Sequence, residues 1–522
     1  MQRKEKTTVT NANSSDENTL YDIVLVKGRV IDPETYRDGI FNVGLMGDQI
    51  AAVTDQPLQG KEVIDVSGMI VAPGVVDLHS HGQTITANRL QAFDGVTTAL
   101  ELEAGVLPIG EFYDFWAKEG RPINYGASSG WGFGRAVTIC PQLAVDGKPE
   151  PKVDFMFANF AVPEWAYNTA TAPQMEKILA WTEQGLKEGG IGIGVPWGYA
   201  PGAGMKELLG LWQLAAKYDR PTYTHIQNLS MLDPDSGTRS MVELMGLAAS
   251  TGAHTHICHM NSTSLRDIPI IVEVVKKAQS YGLPVTTEAY VYGAGDSGIG
   301  AAEFNPDDVE ARMGVKFSDF TLVSTMKDFS SKEEFVKVRT EDPSQSVIVH
   351  FLREDDDPHD SELLDMSVLY PDAAICTDTM PWVAADGSFY WGTEWPLPAG
   401  LNNHPRASGN YCRFFRKWVR ERGVLSWMDA IRRTSLIPCQ ILEDCVPGMK
   451  KKGRLQADMD ADIIVFDPET VAERADFRQP ALTSQGVKHV IVNGTFLIRD
   501  AELDTAALPG RAVRAPIVEE AR

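Results

Sequence analysis

From Tyr21 onward the chain runs in short β-branched stretches broken by Gly, Asp and Pro: YDIVLVKGRVID, NVGLMGDQIAAV and EVIDVSGMIVAPG. Runs of this kind, bounded by turn formers, predict a meander of short antiparallel strands. The same texture returns near the C-terminus in ADIIVFDP and KHVIVNGTFLIRD, where Asn493-Gly494 is a hairpin-turn pair. Two strand-rich segments that bracket everything else predict one small discontinuous β-sandwich domain, assembled from residues 19–73 plus 450–515.

Between them, over 74–449, apolar runs alternate with amphipathic stretches. GIGIGVPWG precedes the helical pattern MKELLGLWQLAAKYD and then PTYTHIQ; TGAHTHICHMN precedes IPIIVEVVKKAQSYG and then LPVTTEAYVYG. Repeated strand–helix–strand alternation predicts a parallel sheet covered by helices. At this length a closed (β/α)8 TIM-like barrel accounts for it better than an open sheet, so the fold class is α/β. No G-x-G-x-x-G follows the first predicted strand, which removes the main dinucleotide signal. GYAPGAG lacks the Lys-Ser/Thr ending of a phosphate-binding loop and reads as a strand-end loop. Residues 1–18 are polar without an apolar core, which predicts a disordered arm and no secretory signal.

The 71 acidic residues outnumber 48 basic ones, for a formal net charge of −23. Such an excess repels nucleic acid and anionic membrane surfaces over a Debye length of about 8 Å, so neither is expected as a partner. It leaves small molecules open, because one buried arginine can invert the local field, and it leaves a homo-oligomer open. The six cysteines are scattered without a C-x-x-C pair, a pattern of reduced thiols in a cytoplasmic protein.

The chemistry starts at VAPGVVDLHSHG, with His79 and His81. Residues i and i+2 of a strand project to one face, so two imidazoles at the end of the first barrel strand would converge on one metal ion. This string resembles the first-strand metal motif of the amidohydrolase superfamily. Further ligands then belong at later strand ends. PTYTHIQN offers His225. HTHICHMN offers His254 and His256 on one strand face and His259 on the other; His259, nearest the polar loop, is preferred and His256 is the alternative. AAICTDTMPW ends in Asp378, a carboxylate able to take a proton from an attacking water and return it to a leaving nitrogen. A two-metal site also needs a bridging anion. GVTTALELEAG carries Glu101 and Glu103 on one face of a buried strand, where carboxylates have no place unless they meet cations. Glu103 is nearer the strand end and is the expected bridge, with Glu101 as the alternative.

Taken together, YDIVLVKGRVIDP, HSHG, GVTT, GIGIG, YTHIQ, HPRASG and ADIIVFDP…VKHVIVNG resemble the N-acyl-D-amino-acid deacylase branch of the amidohydrolase superfamily across most of the chain. The resemblance implies zinc, one or two ions per chain. It implies hydrolysis of the amide bond of a small N-acyl (D-)amino acid, or a similar N-acyl amine, by metal-activated water. It assigns His79, His81, His225, His259 and Asp378 to the metal site, and Arg406 and Tyr290 to the substrate. In that family the bridge is usually a cysteine matching Ala104, which is why Glu103 takes its place here. A family lysine is replaced by Asn261, and a family serine falls near Asp296. The segment from Trp382 to Leu401 is longer than the family has; its Trp382, Phe389, Tyr390, Trp391 and Trp395 suit either a lid over an apolar acyl group or an oligomer contact.

Two other readings share parts of this pattern. A cyclic-amide hydrolase of the hydantoinase or dihydropyrimidinase kind resembles the chain at HSH, but bridges its metals with a carboxylated lysine on the fourth strand. Here GGIGIGVPWG has none, and Lys187 precedes it. A catalytically inactive scaffold of the same fold would have lost ligands that this chain keeps.

Overall fold

The computed structural model describes residues 19–518; the arm expected over 1–18 lies outside the described residues. Five strands open the chain: β1 (Leu20–Asp32), β2 (Arg37–Met46), β3 (Gln49–Thr54), β4 (Gln59–Asp65) and β5 (Ile70–Pro73). The barrel follows with β6 (Val75–Asp77), β7 (Val96–Val106), β8 (Asn124–Gly130), β9 (Ile193–Pro196), β10 (Thr222–His225), β11 (Thr255–Ile257) and β12 (Val285–Ala289). An insertion carries β13 (Ala294–Gly298), β14 (Phe320–Leu322), β15 (Lys327–Asp328) and β16 (Ser346–His350) before the last barrel strand, β17 (Ala374–Ile375). The chain returns with β18 (Ile463–Phe466), β19 (Val487–Val492), β20 (Thr495–Arg499) and β21 (Glu502–Leu503).

The two chain ends form one sheet in the order β21-β20-β19-β18-β5-β1-β2-β3, with β4 also on β1. It folds over on itself. Val43 and Leu45 of β2 and Ile50 of β3 share a core with Ile463 and Val465 of β18 and Ile491 of β19, although β1 and β5 lie between β2 and β18 along the sheet. Asn493 (φ +48°) and Gly494 (φ +78°) both take positive φ between β19 and β20, the geometry that an Asn-Gly hairpin turn favours. The expected all-antiparallel meander is corrected at two places: β4 and β5 both run parallel to β1. Alternating hydrophobicity marks a strand's buried face but carries no information about the direction of its neighbour.

The barrel strands pair in parallel in the order β17-β12-β11-β10-β9-β8-β7-β6. The seam closes through a parallel bridge between Ser80 and Thr379, supported by hydrogen bonds from His81 N to Thr379 O (2.8 Å) and from Asp378 N to His79 O (2.7 Å). Helices cover the outside by the 3.6-residue pattern: Met205–Tyr218 buries Leu208, Leu211, Trp212 and Ala215. The insertion between β12 and β17 makes a third, antiparallel sheet in the order β13-β16-β14-β15. Among the described residues no helix is long and apolar enough to cross a membrane.

Candidate metal centre

Strand β6 ends at Asp77, whose carboxylate accepts hydrogen bonds from His79 N (3.2 Å), Thr377 N (3.1 Å) and Thr377 Oγ1 (2.5 Å). This knot ties the first strand end to the last. It brings His79 and His81 together with Nε2 atoms 3.1 Å apart, and places Asp378 Oδ1 3.3 Å from His79 Nε2 and 3.5 Å from His81 Nε2. Asp378 holds a left-handed backbone conformation (φ +51°), which aspartate tolerates better than most residues.

Glu103, on β7, lies between two histidine pairs. Its Oε2 is 3.3 Å from Nε2 of both His79 and His81; its Oε1 is 3.0 Å from His225 Nδ1 and 3.1 Å from His259 Nε2. His225 closes β10. His259 follows the end of β11 in a strained conformation (φ +29°) at the head of the helix Met260–Ser264, and that turn aims its ring at the same carboxylate. Glu101 approaches His81 from the other side, with its two oxygens 2.9 and 3.0 Å from Nδ1. The two glutamates therefore grip opposite nitrogens of one imidazole.

The strand-parity argument for β11 needs correction. His256 also reaches the interior, with Nε2 3.3 Å from Glu288 Oε2, and Glu288 Oε1 lies 2.6 Å from His79 Nδ1. Both parity sets serve the site because β11 ends at Ile257 and the chain turns before His259. His254 hydrogen-bonds Thr286 Oγ1 at 2.8 Å. Glu288 was not singled out from the sequence, although it had the same signal as Glu103: a carboxylate in an apolar strand, VTTEA. Glu303, whose Oε2 lies 3.1 Å from His225 Nε2, comes from the insertion and carried no local signal.

These groups are buried, and their charges are strongly coupled. Burial opposes a charge on His79, yet Asp378, Glu103 and Glu288 outweigh it and hold its pKa well above the ordinary value. For His225 burial is likewise overcome, by Glu303 and Glu103, and the pKa is pushed up to about 10. Burial alone would raise Glu103, but His79, His225 and His259 draw it well below the usual carboxylate range. Asp378 falls to about 2 against its own burial, chiefly through Arg406 and then His79. The cluster thus favours positive charge at its centre, which a metal ion would supply in place of imidazole protons. The donor atoms of His79, His81 and Asp378, and those of His79, Glu103 and His259, each lie within 4.8 Å of one another, a spacing able to hold a metal ion.

Arg406 is fully buried, with its guanidinium 4.4 Å above the Tyr290 ring. Its Nη2 pairs with Asp296 Oδ1 and lies 3.1 Å from Asp378 Oδ2. Two adjoining cavities open onto the cluster. Tyr290 lines the second, Asp296 lines both, and Arg406 lines neither. Asn261 is buried and spends its amide on the carbonyls of Tyr290 (3.0 Å) and Tyr292 (3.2 Å). In the aromatic segment, Phe389 packs on the cavity residue Phe157 (5.0 Å between ring centres), while Trp391 stacks on Trp116 and Trp395 on Phe93. The segment is thus pinned to the barrel beside the cavity.

The amidohydrolase family model matches residues 162–498. The N-acyl-D-glutamate deacylase of Alcaligenes xylosoxydans xylosoxydans is 24% identical over 94% of this chain and 96% of its own. The crystal structure of N-acyl-D-glutamate deacylase from Bordetella bronchiseptica, complexed with zinc and a phosphonate inhibitor, superposes with a TM-score of 0.74 at 20% identity, covering 95% of this chain and 100% of that one. Dihydropyrimidinase from Brevibacillus agri covers 95% of this chain and 99% of its own, with a TM-score of 0.55 at 16% identity. With the family model spanning well over half its length, the chain belongs to the amidohydrolase family, hydrolases of amide C–N bonds, and within it resembles the D-aminoacylase branch.

Proposed function

We infer that the protein is a zinc-dependent amidohydrolase that cleaves the amide bond of an N-acyl (D-)amino acid or similar N-acyl amine. The observation that carries this reading is the position of Glu103, one carboxylate shared between His79–His81 and His225–His259, with Asp378 beside the first pair. In this reading His79, His81 and Asp378 would hold one ion and His225 and His259 a second, with Glu103 able to serve both. Bound zinc supplies a Lewis acid for the amide carbonyl and lowers the pKa of water from 15.7 to about 7.

Asp378, whose carboxylate lines both cavities, receives a proton from the attacking water and delivers it to the leaving nitrogen. The C–N bond breaks as that nitrogen is protonated, giving a carboxylic acid and an amine. Arg406 holds Asp378 in place through Oδ2, and Tyr290, on the cavity wall, orients the substrate. Glu101 and Glu288 fix the ring planes of His81 and His79 from behind, as carboxylates do for metal-ligating histidines.

The fourth barrel strand, β9 (IGVP), holds no lysine to be carboxylated, which favours this reading over the cyclic-amide one. The test is zinc content together with turnover of a panel of N-acyl-D- and N-acyl-L-amino acids and their neutral derivatives, set against dihydrouracil and hydantoin. At least one zinc per chain and release of free amine are expected. Turnover of the cyclic amides alone would replace the deacylase reading, and a metal-free, inert protein would end both.

A further inference from the structure

The two cavities that meet at the metal cluster share Tyr199, Asp296, Ser297 and Asp378. Asp296 therefore stands where a ligand passing between them must go. Among the described residues no lysine or arginine lines either cavity. The guanidinium of Arg406 lies outside both cavity walls, with its Nη2 shared between the Asp296 and Asp378 carboxylates. Asp296 cannot withdraw: its side chain is 1% exposed, and its backbone is locked in β13, paired with Ile348 of β16. Gly295, beside it, leaves room for the Tyr290 hydroxyl, since a Cβ there would sit 2.6 Å from that oxygen. What a ligand meets at this point is thus a carboxylate already holding its cation, together with the Ser297 hydroxyl, which donates to Tyr199 Oη at 2.9 Å. Away from the histidine–carboxylate cluster, Glu303, Ser262 and Tyr290, the walls are apolar: Met156, Phe157 and Met380 on one side, Leu229, Met313 and Phe351 on the other.

We propose that Asp296 is a specificity-determining residue that excludes a free carboxylate from the amine side of the substrate, so that the enzyme acts on N-acyl amines whose amine portion is uncharged. A substrate carboxylate next to the scissile nitrogen would approach Asp296 in a buried site onto which, among the described residues, no lysine or arginine opens, and there like charges repel strongly. An apolar or amide-capped group meets Ser297 and the apolar walls without that penalty. This rests on the hydrolase reading above and narrows its substrate class.

The test uses the zinc-loaded enzyme and matched pairs: an N-acyl amino acid and its carboxamide, with the same acyl group, side chain and configuration. Release of the acyl acid is the readout. The carboxamide is expected to have a kcat/KM at least about 100-fold higher. In Asp296→Asn that ratio should fall at least about 10-fold, because the repelling charge is gone while its shape stays. Equal use of the pair, or preference for the free acid, by the wild-type enzyme overturns the proposal and leaves the hydrolase reading standing. Should Asp296→Asn fail to fold, product inhibition of the wild type gives a second measurement. The free amino acid amide should inhibit more tightly than the free amino acid, and equal inhibition overturns the proposal. If neither member of any pair is cleaved in either configuration, the deacylase reading itself fails and removes this proposal with it.

Discussion

Glu288 Oε1 lies 2.6 Å from His79 Nδ1, two buried side chains 209 residues apart in the chain. The contact leaves His79 Nε2 as the nitrogen that faces His81, Glu103 and Asp378. A carboxylate behind a metal-binding histidine fixes its tautomer and raises its basicity, and loss of such a carboxylate costs about 10- to 100-fold in metal affinity. Glu288→Gln should therefore weaken zinc binding by that factor while the protein stays folded. Competition against a fluorescent chelator measures it, and an unchanged affinity would remove Glu288 from the metal site.

Glu103 and Glu101 are separable by the same measurement. Glu103 faces all four histidines of the two pairs, whereas Glu101 touches only the far nitrogen of His81. Glu103→Ala should strip zinc on gentle dialysis. Glu101→Gln should retain it with reduced affinity. Metal analysis showing the reverse order would exchange the two roles.

Asp378 has one oxygen toward His79 and His81 and the other toward Arg406. Asp378→Asn keeps the shape but cannot carry the proton. Turnover is expected to fall by about 10²- to 10⁴-fold, with zinc still held through Glu103, His225 and His259. Full activity in a zinc-loaded Asp378→Asn enzyme would exclude it as the proton carrier.

Metal removal should destabilise the fold, because the expected ligands come from β7, the end of β10 and the segments that follow β6, β11 and β17, and so tie the barrel together across its seam. A ligand at 100 times its dissociation constant adds about 2.7 kcal/mol to folding stability. Chelated protein should thus unfold at a lower temperature than zinc-loaded protein, and the gap should widen with added zinc. A melting temperature indifferent to chelation and zinc would mean that no metal is bound there.

His254 makes an independent prediction about pH. Burial, with the neighbouring His256, lowers its pKa from 6.5 to about 4 in the folded state. The unfolded chain then binds more protons between those values, so stability is fully present above pH 6.5 and is lost as pH falls toward 4. The contribution is at most about 3 kcal/mol. His254→Gln should flatten the acid side of the stability profile in urea titrations at pH 7, 6, 5 and 4. An unchanged slope would show that His254 does not drive it.

Much of this site was legible as residue types in local patterns. H-x-H at an apolar strand end named His79 and His81. Carboxylates inside a strand that has no other reason to hold charge pointed to Glu103 and Glu101. What escaped was anything whose meaning depends on a distant neighbour. Glu288 becomes informative only beside His79, and Glu303 only beside His225. The antiparallel sheet of β13–β16 was not separated from the barrel alternation, because short strands in an insertion share the texture of the strands around them. His256 and His259 stand as alternatives only under a parity rule that holds within a strand and stops holding where β11 ends, two residues before His259.

The linear chain by itself determined the class of fold, the two-ended sheet and most of the candidate ligands, since hydrophobic period and residue chemistry are local properties. Tertiary structure alone decided which oxygen of Glu103 faces which histidine, and that Arg406 is held behind Asp296 instead of opening onto the cavity. Those outcomes depend on the closure of the barrel between Ser80 and Thr379 and on where an inserted sheet lays its first strand. Distance in space between charges sets their energy, and separation along the chain does not encode it.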